Sequence, residues 1–570
     1  MKHINIVIAG AAGQGIQSAG EILGKTLLRL GYHVFITHDY QSRVRGGHNF
    51  MTLRFSGEPL AASVRSSDYL LALNEESIGL RLGGLGAKGL AFCLEGDKGN
   101  HADARLRVLP DSIGPASARG AKFAAVKLSA MLFASLGFPP EILAGSVKKI
   151  FGERLKPEIL QANLEAVAAV ASFIEPIDIR PPSFAPAPSA GRMLISANDA
   201  IALGMVAAGI GVYAGYPITP STSILNLLGT EGPSLGIAVE QTEDEIAALN
   251  LAIGASYAGA RAACGSSGAG LSLMAEAIGL AGITETPVVI YDGQRSGPAV
   301  GMATRTEQAD LLSLVHSSHG EFPRAVICPV DHEDSFYLAA EAFNVADAWQ
   351  VPVFLINDLG QANSESTLEE FDISRVRIDR GLMAPEPAES APFARYAVTE
   401  SGVSPRAVPA MSKWLVSCDS HEHDEYGHLT DNPANRVRQH SKRMRKLDGM
   451  AASFPGPEII NPGRPVCVIA WGSTVGPLLE AAPTLKEKGI EYSIAVFRYL
   501  YPLDPVKVGQ ALKGFERIYS LEQNYTGQLG KLLRMECGAA IQGHIGKYDG
   551  RILTVEDAAG LLESALGGKL

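Results

Sequence analysis

A multidomain α/β chain is the fold class this sequence predicts, and three observations carry that reading. Its 570 residues exceed what one hydrophobic core accommodates, and at roughly 100–200 residues per domain about three to five domains are expected. Strand-like apolar runs alternate with helix-like segments along most of the chain, which is the signature of βαβ units and parallel sheets. Glycine is abundant, at 61 residues, as tight turns and close helix–sheet contacts require.

The elements follow in order. "INIVIA" (4–9) reads as a strand, then come Gly10-Ala11-Ala12-Gly13-Gln14-Gly15, a helical pattern through Leu30, and "HVFIT" (33–37) as the next strand of a βαβ opening. Strand candidates at 68–73 and 89–94 and helical stretches at 121–136 and 158–174 complete a Rossmann-like domain over 1–178. A proline-rich stretch, 179–192, makes a stiff extended linker. A doubly wound α/β domain is expected over 193–364, ending on the strand "PVFLIND" (352–358). Residues 365–460 are polar and irregular, closed by one basic helix, and 461–570 form a third α/β unit opening on "PVCVIAWGST" (465–474). No repeat of solenoid period is visible.

Charge and composition exclude several classes of function. A formal net charge of −11 argues against a nucleic-acid or anionic-membrane surface, which needs a basic face. The longest apolar run, after Asp199, falls short of the roughly 18 residues of a membrane span. The N-terminus enters a strand directly with no leader pattern, so the cytoplasm is the expected compartment. The six cysteines are scattered without a Cys-x-x-Cys pair, so neither an iron–sulfur cluster nor a disulfide framework is expected in this chain.

Candidate site residues begin at Tyr216-Pro217-Ile218-Thr219-Pro220. Thr219 precedes a proline and is pushed out of the α region, while Pro220 suits a first helical position, so Thr219 is the expected N-cap. Free N–H groups and hydroxyls at such a start suit a small carboxylate, although an ordinary capped helix explains the motif equally. Next, Glu240, Glu243, Asp244 and Glu245 stand at the mouth of a helix otherwise rich in Ala, Leu and Ile. Helix-dipole capping accounts for acids there, yet one carboxyl buried among apolar neighbours would exchange a proton near neutrality. Arg295 opens a glycine- and proline-rich loop and is suited to a bidentate carboxylate contact or, equally, to a surface ion pair.

Two further groups stand apart from these. Gly10-x-x-Gly13-x-Gly15 after a strand suits a phosphate cradle or merely tight packing. "SRVRGGHN", with Arg43, Arg45 and His48 around Gly46 and Gly47, is a second candidate for phosphate contacts. His421, His423 and His428 beside Asp424 and Glu425 lack a readable ligand pattern and are better explained as a polar subunit-contact loop, so no metal is assigned to the chain.

The turn at 216–221, the Glu-Asp-Glu-Ile-Ala-Ala helix start at 243–248, "GASYAGARA" (254–262), "RTEQADL" (305–311) and "HGEFPRAV" (319–326) together resemble the alpha subunit of the 2-oxoacid:ferredoxin oxidoreductases. "GAAGQGIQSAGEILGK" (10–25) and "QSRVRGGHNF" (41–50) resemble that family's gamma domain, so the layout is similar to a fused gamma-alpha chain. "HDEYGHLTDNPANR" (423–436) and "EQNYTGQLGKLLR" (522–534) extend the likeness almost end to end. Two departures are small in volume: Gly265-Ser266-Ser267-Gly268-Ala269-Gly270 replaces a Ser-Gly-Pro-Gly type loop, and Arg295-Ser296-Gly297-Pro298 replaces Arg-Gly-Gly-Pro.

The resemblance implies a Rossmann-like gamma domain, a pyrimidine-side thiamine diphosphate domain and a transketolase C-terminal-like domain. It implies coenzyme A-dependent oxidative decarboxylation of a 2-oxoacid, with electrons passed singly toward ferredoxin. Glu245 would protonate the aminopyrimidine, with Glu240 and Glu243 as alternatives, while Thr219 and Arg295 hold the substrate carboxylate. Tyr216, Pro217, Ile218, Ser267 and Gly268 would line the thiamine side, and Gly10, Gly13, Gln14, Gly15, Arg43, Arg45, Gly46 and Gly47 the coenzyme A side. No Gly-Asp-Gly occurs in the chain. The resemblance therefore implies a beta subunit bearing Mg²⁺, the diphosphate site and a [4Fe-4S] cluster, in a dimer of alpha-beta heterodimers. The fused layout favours 2-oxoglutarate over pyruvate or branched-chain and aryl 2-oxoacids. The rivals are a nicotinamide-dependent dehydrogenase using Asp39, which leaves 193–570 unexplained, and a non-catalytic assembly subunit.

Overall fold

A computed structural model of the chain describes residues 2–41, 46–118, 120–409 and 411–567. It contains two compact units, Met1–Ile195 with Ser364–Glu370 and Thr554–Glu556, and Ser196–Asn363 with Phe371–Leu553 and Asp557–Leu570.

The first unit is built on one eight-stranded sheet in the order Leu106–Leu109, Leu85–Leu94, Ser67–Ala72, His3–Ala12, Gly46–Ser56, His33–Asp39, Glu365–Glu369 and Arg192–Ser196. His3–Ala12 pairs parallel to Ser67–Ala72, as a Rossmann-like unit requires. The strand expected next to it does not sit there: Gly46–Ser56 lies between, antiparallel to both His3–Ala12 and His33–Asp39. Gly46 and Gly47, with φ of 74° and 73°, start that strand in a conformation that side chains resist. The opening is therefore a mixed sheet and not a simple βαβ pair.

Two further segments depart from their expected places. Arg192–Ser196 and Glu365–Glu369, read from sequence as the start of the second domain and as part of the irregular stretch, both join this sheet. Val34 N donates to Thr367 Oγ1 at 2.9 Å, so the strand 33–39 is covered where it would otherwise be an open edge. The proline-rich 179–192 is not free-standing either: the Phe184 ring meets Tyr32 and Phe55 edge-on at 5.8 and 5.7 Å, and Ala187 N donates to Gly31 O.

The second unit holds a seven-stranded sheet in the order Tyr499–Tyr501, Ala325–Ile327, Pro352–Asp358, Val288–Gln294, Ala262–Ser266, Val212–Gly215 and Ala238–Gln241. All pairings are parallel except the Tyr499–Tyr501 edge. A five-stranded sheet, Glu458–Ile460, Ser493–Val496, Val466–Ala470, Arg517–Glu522 and Gly543–Gly546, shares a core with it, in which Ile290, Val326 and Ile356 pack with Cys467, Ile469 and Trp471.

The stretch expected to be irregular ends in two helices, Pro433–Met444 and Lys446–Ser453. Their Lys442 and Lys446 Nζ atoms reach the wholly buried Glu285 at 2.7 and 2.6 Å. Burial raises the pKa of that carboxyl, but the charges of Lys442, Lys446 and Arg395 outweigh it and hold it well below the carboxylate range. Among the described residues no helix is long and apolar enough to cross a membrane. All six cysteines are free.

Candidate active site

The 212–215, 262–266 and 288–294 strands deliver the site residues at their carboxyl ends, where doubly wound sheets bind ligands. The turn after 212–215 differs from its expected form. The helix begins at Thr222 with Ser221 at the cap position, and Thr219–Pro220 is a cis peptide one step before it. Thr219 is thus not the N-cap. The hydroxyls of Ser221 and Ser223 donate backwards to the carbonyls of Ile218 and Pro220, and Thr222 N to Ile218 O, so the chain makes one more turn before the helix. Asn198 anchors it through Nδ2 to Pro220 O at 2.9 Å, and Tyr291 Oη donates to Asn198 Oδ1. Arg295 Nη1 donates to Thr219 O at 3.1 Å, bringing together two candidates 76 positions apart. Tyr216 is exposed, and Pro217 and Ile218 are half-buried.

Of the four acids, Asp244 caps its helix by accepting from Ala247 N at 2.7 Å, Glu240 and Glu243 are exposed, and Glu245 is buried. The Glu245 carboxyl lies against Gly270: a methyl group there would come within 2.6 Å of Oε1 and 2.1 Å of Ser266 Oγ. Gly268 plays the same part for Asp310, whose two oxygens would each be 2.7 Å from an added methyl. The hydroxyls of Ser266 and Ser267 are buried without a partner. A buried carboxyl, two glycines no larger residue can replace without movement, and two free hydroxyls are a donor set and a cradle that fit a thiamine aminopyrimidine.

The arginine loop rests on a buried acid pair that has no assigned role in the sequence reading. Burial, then the charge of Glu307, pushes Asp310 up to about 6, with Arg295 pulling the other way. Asp292, fully buried with neither oxygen bonded, is raised well above its usual range by burial and by Asp310. Arg295 itself is lowered by burial, opposed by Asp310. The loop is fastened to the third α/β region at Gln308, which exchanges backbone and side-chain bonds with Gln523, accepts from Asn524 Nδ2 and donates to Trp471 O. Gln308 and Asp310 both lie within "RTEQADL", so the motif was legible while their roles were not.

In the first unit, Gly13 and Gly15 adopt φ of 88° and 94°, and with Ala12, Ile16, Asp39, Tyr40 and Phe50 they line a cavity of about 430 Å³. Gly10 packs on Leu73 and Gln14. Arg43 and Arg45 lie outside the described residues. The histidine segment is dispersed: His423 is buried on the Tyr396 ring with Nδ1 at His421 O, His421 pairs with Asp419, and His428 with Asp424. Among the described residues no group of three or more ligating side chains forms a metal site.

Three family models match the chain: pyruvate ferredoxin/flavodoxin oxidoreductase over residues 5–173, its thiamine diphosphate-binding domain over 203–443, and the transketolase C-terminal domain over 457–559. The alpha subunit of 2-oxoacid:ferredoxin oxidoreductase 2 from Aeropyrum pernix is 33% identical over 99% of this chain and 98% of its own. The chain belongs to the 2-oxoacid:ferredoxin oxidoreductase alpha subunits. It is an alpha subunit of the fused gamma-alpha type, with the thiamine diphosphate-binding domain of the family. The 2-oxoglutarate oxidoreductase subunit KorA of Mycobacterium tuberculosis is 32% identical over 73% of this chain and 64% of that one. In structure, the 2-oxoglutarate:ferredoxin oxidoreductase from Magnetococcus marinus, bound to 2-oxoglutarate, coenzyme A and succinyl-CoA, superimposes with a TM-score of 0.90 at 26% identity, over 99% of each chain.

Proposed function

We propose that this alpha subunit joins a beta subunit in a cytoplasmic complex that converts a 2-oxoacid and coenzyme A to acyl-CoA and CO₂, electrons passing to ferredoxin. One observation carries the reading: Arg295 and Thr219, far apart in sequence, are bonded to each other at the carboxyl end of the sheet, where the Glu245 carboxyl also stands against Gly270 and Ser266. Bound thiamine diphosphate supplies the electron sink for decarboxylation. Glu245 holds the proton shared with the aminopyrimidine ring nitrogen. Arg295 and the 218–222 turn bind the substrate carboxylate, the guanidinium giving charge-assisted bonds that orient it. Ser267, Gly268 and the side chains of Tyr216, Pro217 and Ile218 exclude water around that ring. Mg²⁺, the diphosphate and a [4Fe-4S] cluster belong to the beta subunit, consistent with a chain that lacks Gly-Asp-Gly and paired cysteines. The 10–15 loop, with Gly46 and Gly47 nearby and Arg43 and Arg45 outside the described residues, receives coenzyme A. The likeness to 2-oxoglutarate enzymes favours 2-oxoglutarate as substrate.

The test is co-expression with the beta partner and an assay of 2-oxoacid- and coenzyme A-dependent viologen reduction. Glu245→Gln in the complex lowers kcat at least 10²-fold, the lower end of losses seen when one proton-transferring group is removed. Full activity of Glu245→Gln, or activity of the alpha chain alone, refutes the assignment.

A further inference from the structure

His48 ends a chain of hydrogen bonds that runs through three separate segments of the first unit to the glycine loop. Arg81 Nε donates to His48 Nε2 at 2.9 Å; His48 Nδ1 lies 3.4 Å from Ser77 Oγ; and Ser77 Oγ donates to Asn74 Oδ1 at 2.7 Å. Asn74 Nδ2 then donates to Gln14 Oε1 at 2.7 Å, and that same oxygen accepts from Ala11 N at 2.7 Å. Every direction is forced. An arginine Nε–H can only donate, so His48 Nε2 must be its acceptor. Ser77 spends its one hydroxyl proton on Asn74, whose Oδ1 also accepts from Ser77 N, so His48 Nδ1 must carry the hydrogen that Ser77 accepts. The imidazole is therefore neutral and in a single tautomer. At the far end, Gln14 Oε1 meets Ala11 N while Gln14 N returns to Ala11 O, which clamps the loop between Gly10 and Gly15 in both directions.

The surroundings favour that state. His48 and Ser77 are buried, and Arg81 stacks over the Phe50 ring at 3.4 Å while Phe50 lines the cavity. Among the described residues, the charged groups that act on the imidazole are Arg81, Glu76 and Asp39. Burial first, and Arg81 second, lower the His48 pKa below its usual value; Glu76 and Asp39 pull it up by less.

We propose that His48 is a positioning residue for the coenzyme A loop: as a neutral imidazole it holds Arg81, Ser77, Asn74 and Gln14 in register, and its protonation releases the loop. This rests on the reading that coenzyme A binds at 10–15. A second proton on His48 leaves two donors face to face, Arg81 Nε–H and His48 Nε2–H, beside two positive charges, so the chain breaks at its first link.

The test uses the co-expressed complex and the viologen assay from pH 5.5 to 8. In the native enzyme KM for coenzyme A rises as pH falls below the lowered pKa of His48, with kcat and KM for the 2-oxoacid little changed. His48→Ala raises KM for coenzyme A about five- to tenfold at every pH, the worth of one or two hydrogen bonds. His48→Gln supplies one acceptor and one donor without a titrating proton, so it restores a low KM and removes the acid limb. Ser18 also lines the cavity, so Ser18→Trp, which fills it, is the control for the coenzyme A site itself. If Ser18→Trp raises KM for coenzyme A and His48→Ala does not, or if His48→Gln keeps the acid limb, the positioning role is overturned. If neither Ser18→Trp nor His48→Ala moves KM, coenzyme A binds elsewhere and the proposal falls with that reading.

Discussion

Gly270→Ala is the sharpest perturbation of the proposed thiamine side, because its consequence can be worked from the structure. An alanine Cβ at 270 would stand 2.1 Å from Ser266 Oγ, 2.6 Å from Glu245 Oε1 and 2.7 Å from Glu245 Cγ, where ordinary contact begins at 3.4 Å. Ser266 lies on a strand paired on both sides, so its backbone yields little and its hydroxyl can only turn about χ1, while the Glu245 side chain takes up a displacement near 1 Å. A misplacement of about 1 Å in a reacting group costs on the order of 10² in rate. Stability moves less and is not the cause: overpacking costs about 1–3 kcal/mol, offset by roughly 1 kcal/mol from the better helix propensity of alanine. The assay is viologen reduction by the alpha-beta complex, with a thermal midpoint measured in parallel. Ser266→Ala alone should leave the thermal midpoint nearly unchanged, because its buried hydroxyl has no partner within the chain to lose. Combined with Gly270→Ala it removes the tightest contact and recovers part of the rate, a coupling that a double-mutant cycle reads directly. If Gly270→Ala keeps kcat/KM within about threefold, a displacement of that size is not being felt and the placement of Glu245 against Gly270 is not what the reaction uses.

Two other predictions follow from the same loops. Asp310 has a folded pKa raised to about 6, so the stability it contributes when protonated is lost as pH rises from about 3.9 through about 6. Asp310→Asn should therefore gain over the native chain across that window and hold the gain above it, by no more than about 3 kcal/mol, read as urea midpoints at pH 5 and 7.5; a gain that shrinks with rising pH refutes it. Ala269→Pro, in the first turn of the helix Gly268–Leu273, should keep activity and add up to about 1 kcal/mol of stability, since an N–H at that position has no intrahelical partner; loss of activity would show that the 269 N–H is used.

How far the site was legible depends on what kind of fact each residue represents. The acids at 240–245 stood out because carboxylates at the mouth of an apolar helix are visible in sequence; only the family resemblance singled out Glu245 among them, and burial separates it from Glu240 and Glu243. Thr219 and Arg295 were likewise visible as a rigid turn and a charged loop. The cap at Ser221 was not, because backward bonding by Ser221 and Ser223 competes with capping and no local pattern decides between them. The acid pair Asp292 and Asp310 was invisible for a different reason. Its burial arises from strand order, with 288–294 sandwiched between 262–266 and 352–358, and strand order is a long-range property. The same holds for the short strands 192–196 and 365–369, whose sequences carry no sign of which sheet they will join.

The departures from the family pattern gain a physical reading from this geometry. In Ser267-Gly268-Ala269-Gly270 the two glycines are each pressed by a carboxyl, Gly268 by Asp310 and Gly270 by Glu245. Any side chain at either position would displace the carboxyl beside it. Ala269 lies between them, half-buried, where the motif that this loop resembles has proline. A proline there stiffens the first helical turn without supplying a contact, so its replacement by alanine trades some rigidity for nothing the carboxyls require. The loop therefore keeps what sets the positions of Glu245 and Asp310 and varies where only backbone stiffness is at stake, which is why the departure bears on stability more than on the chemistry proposed for the site.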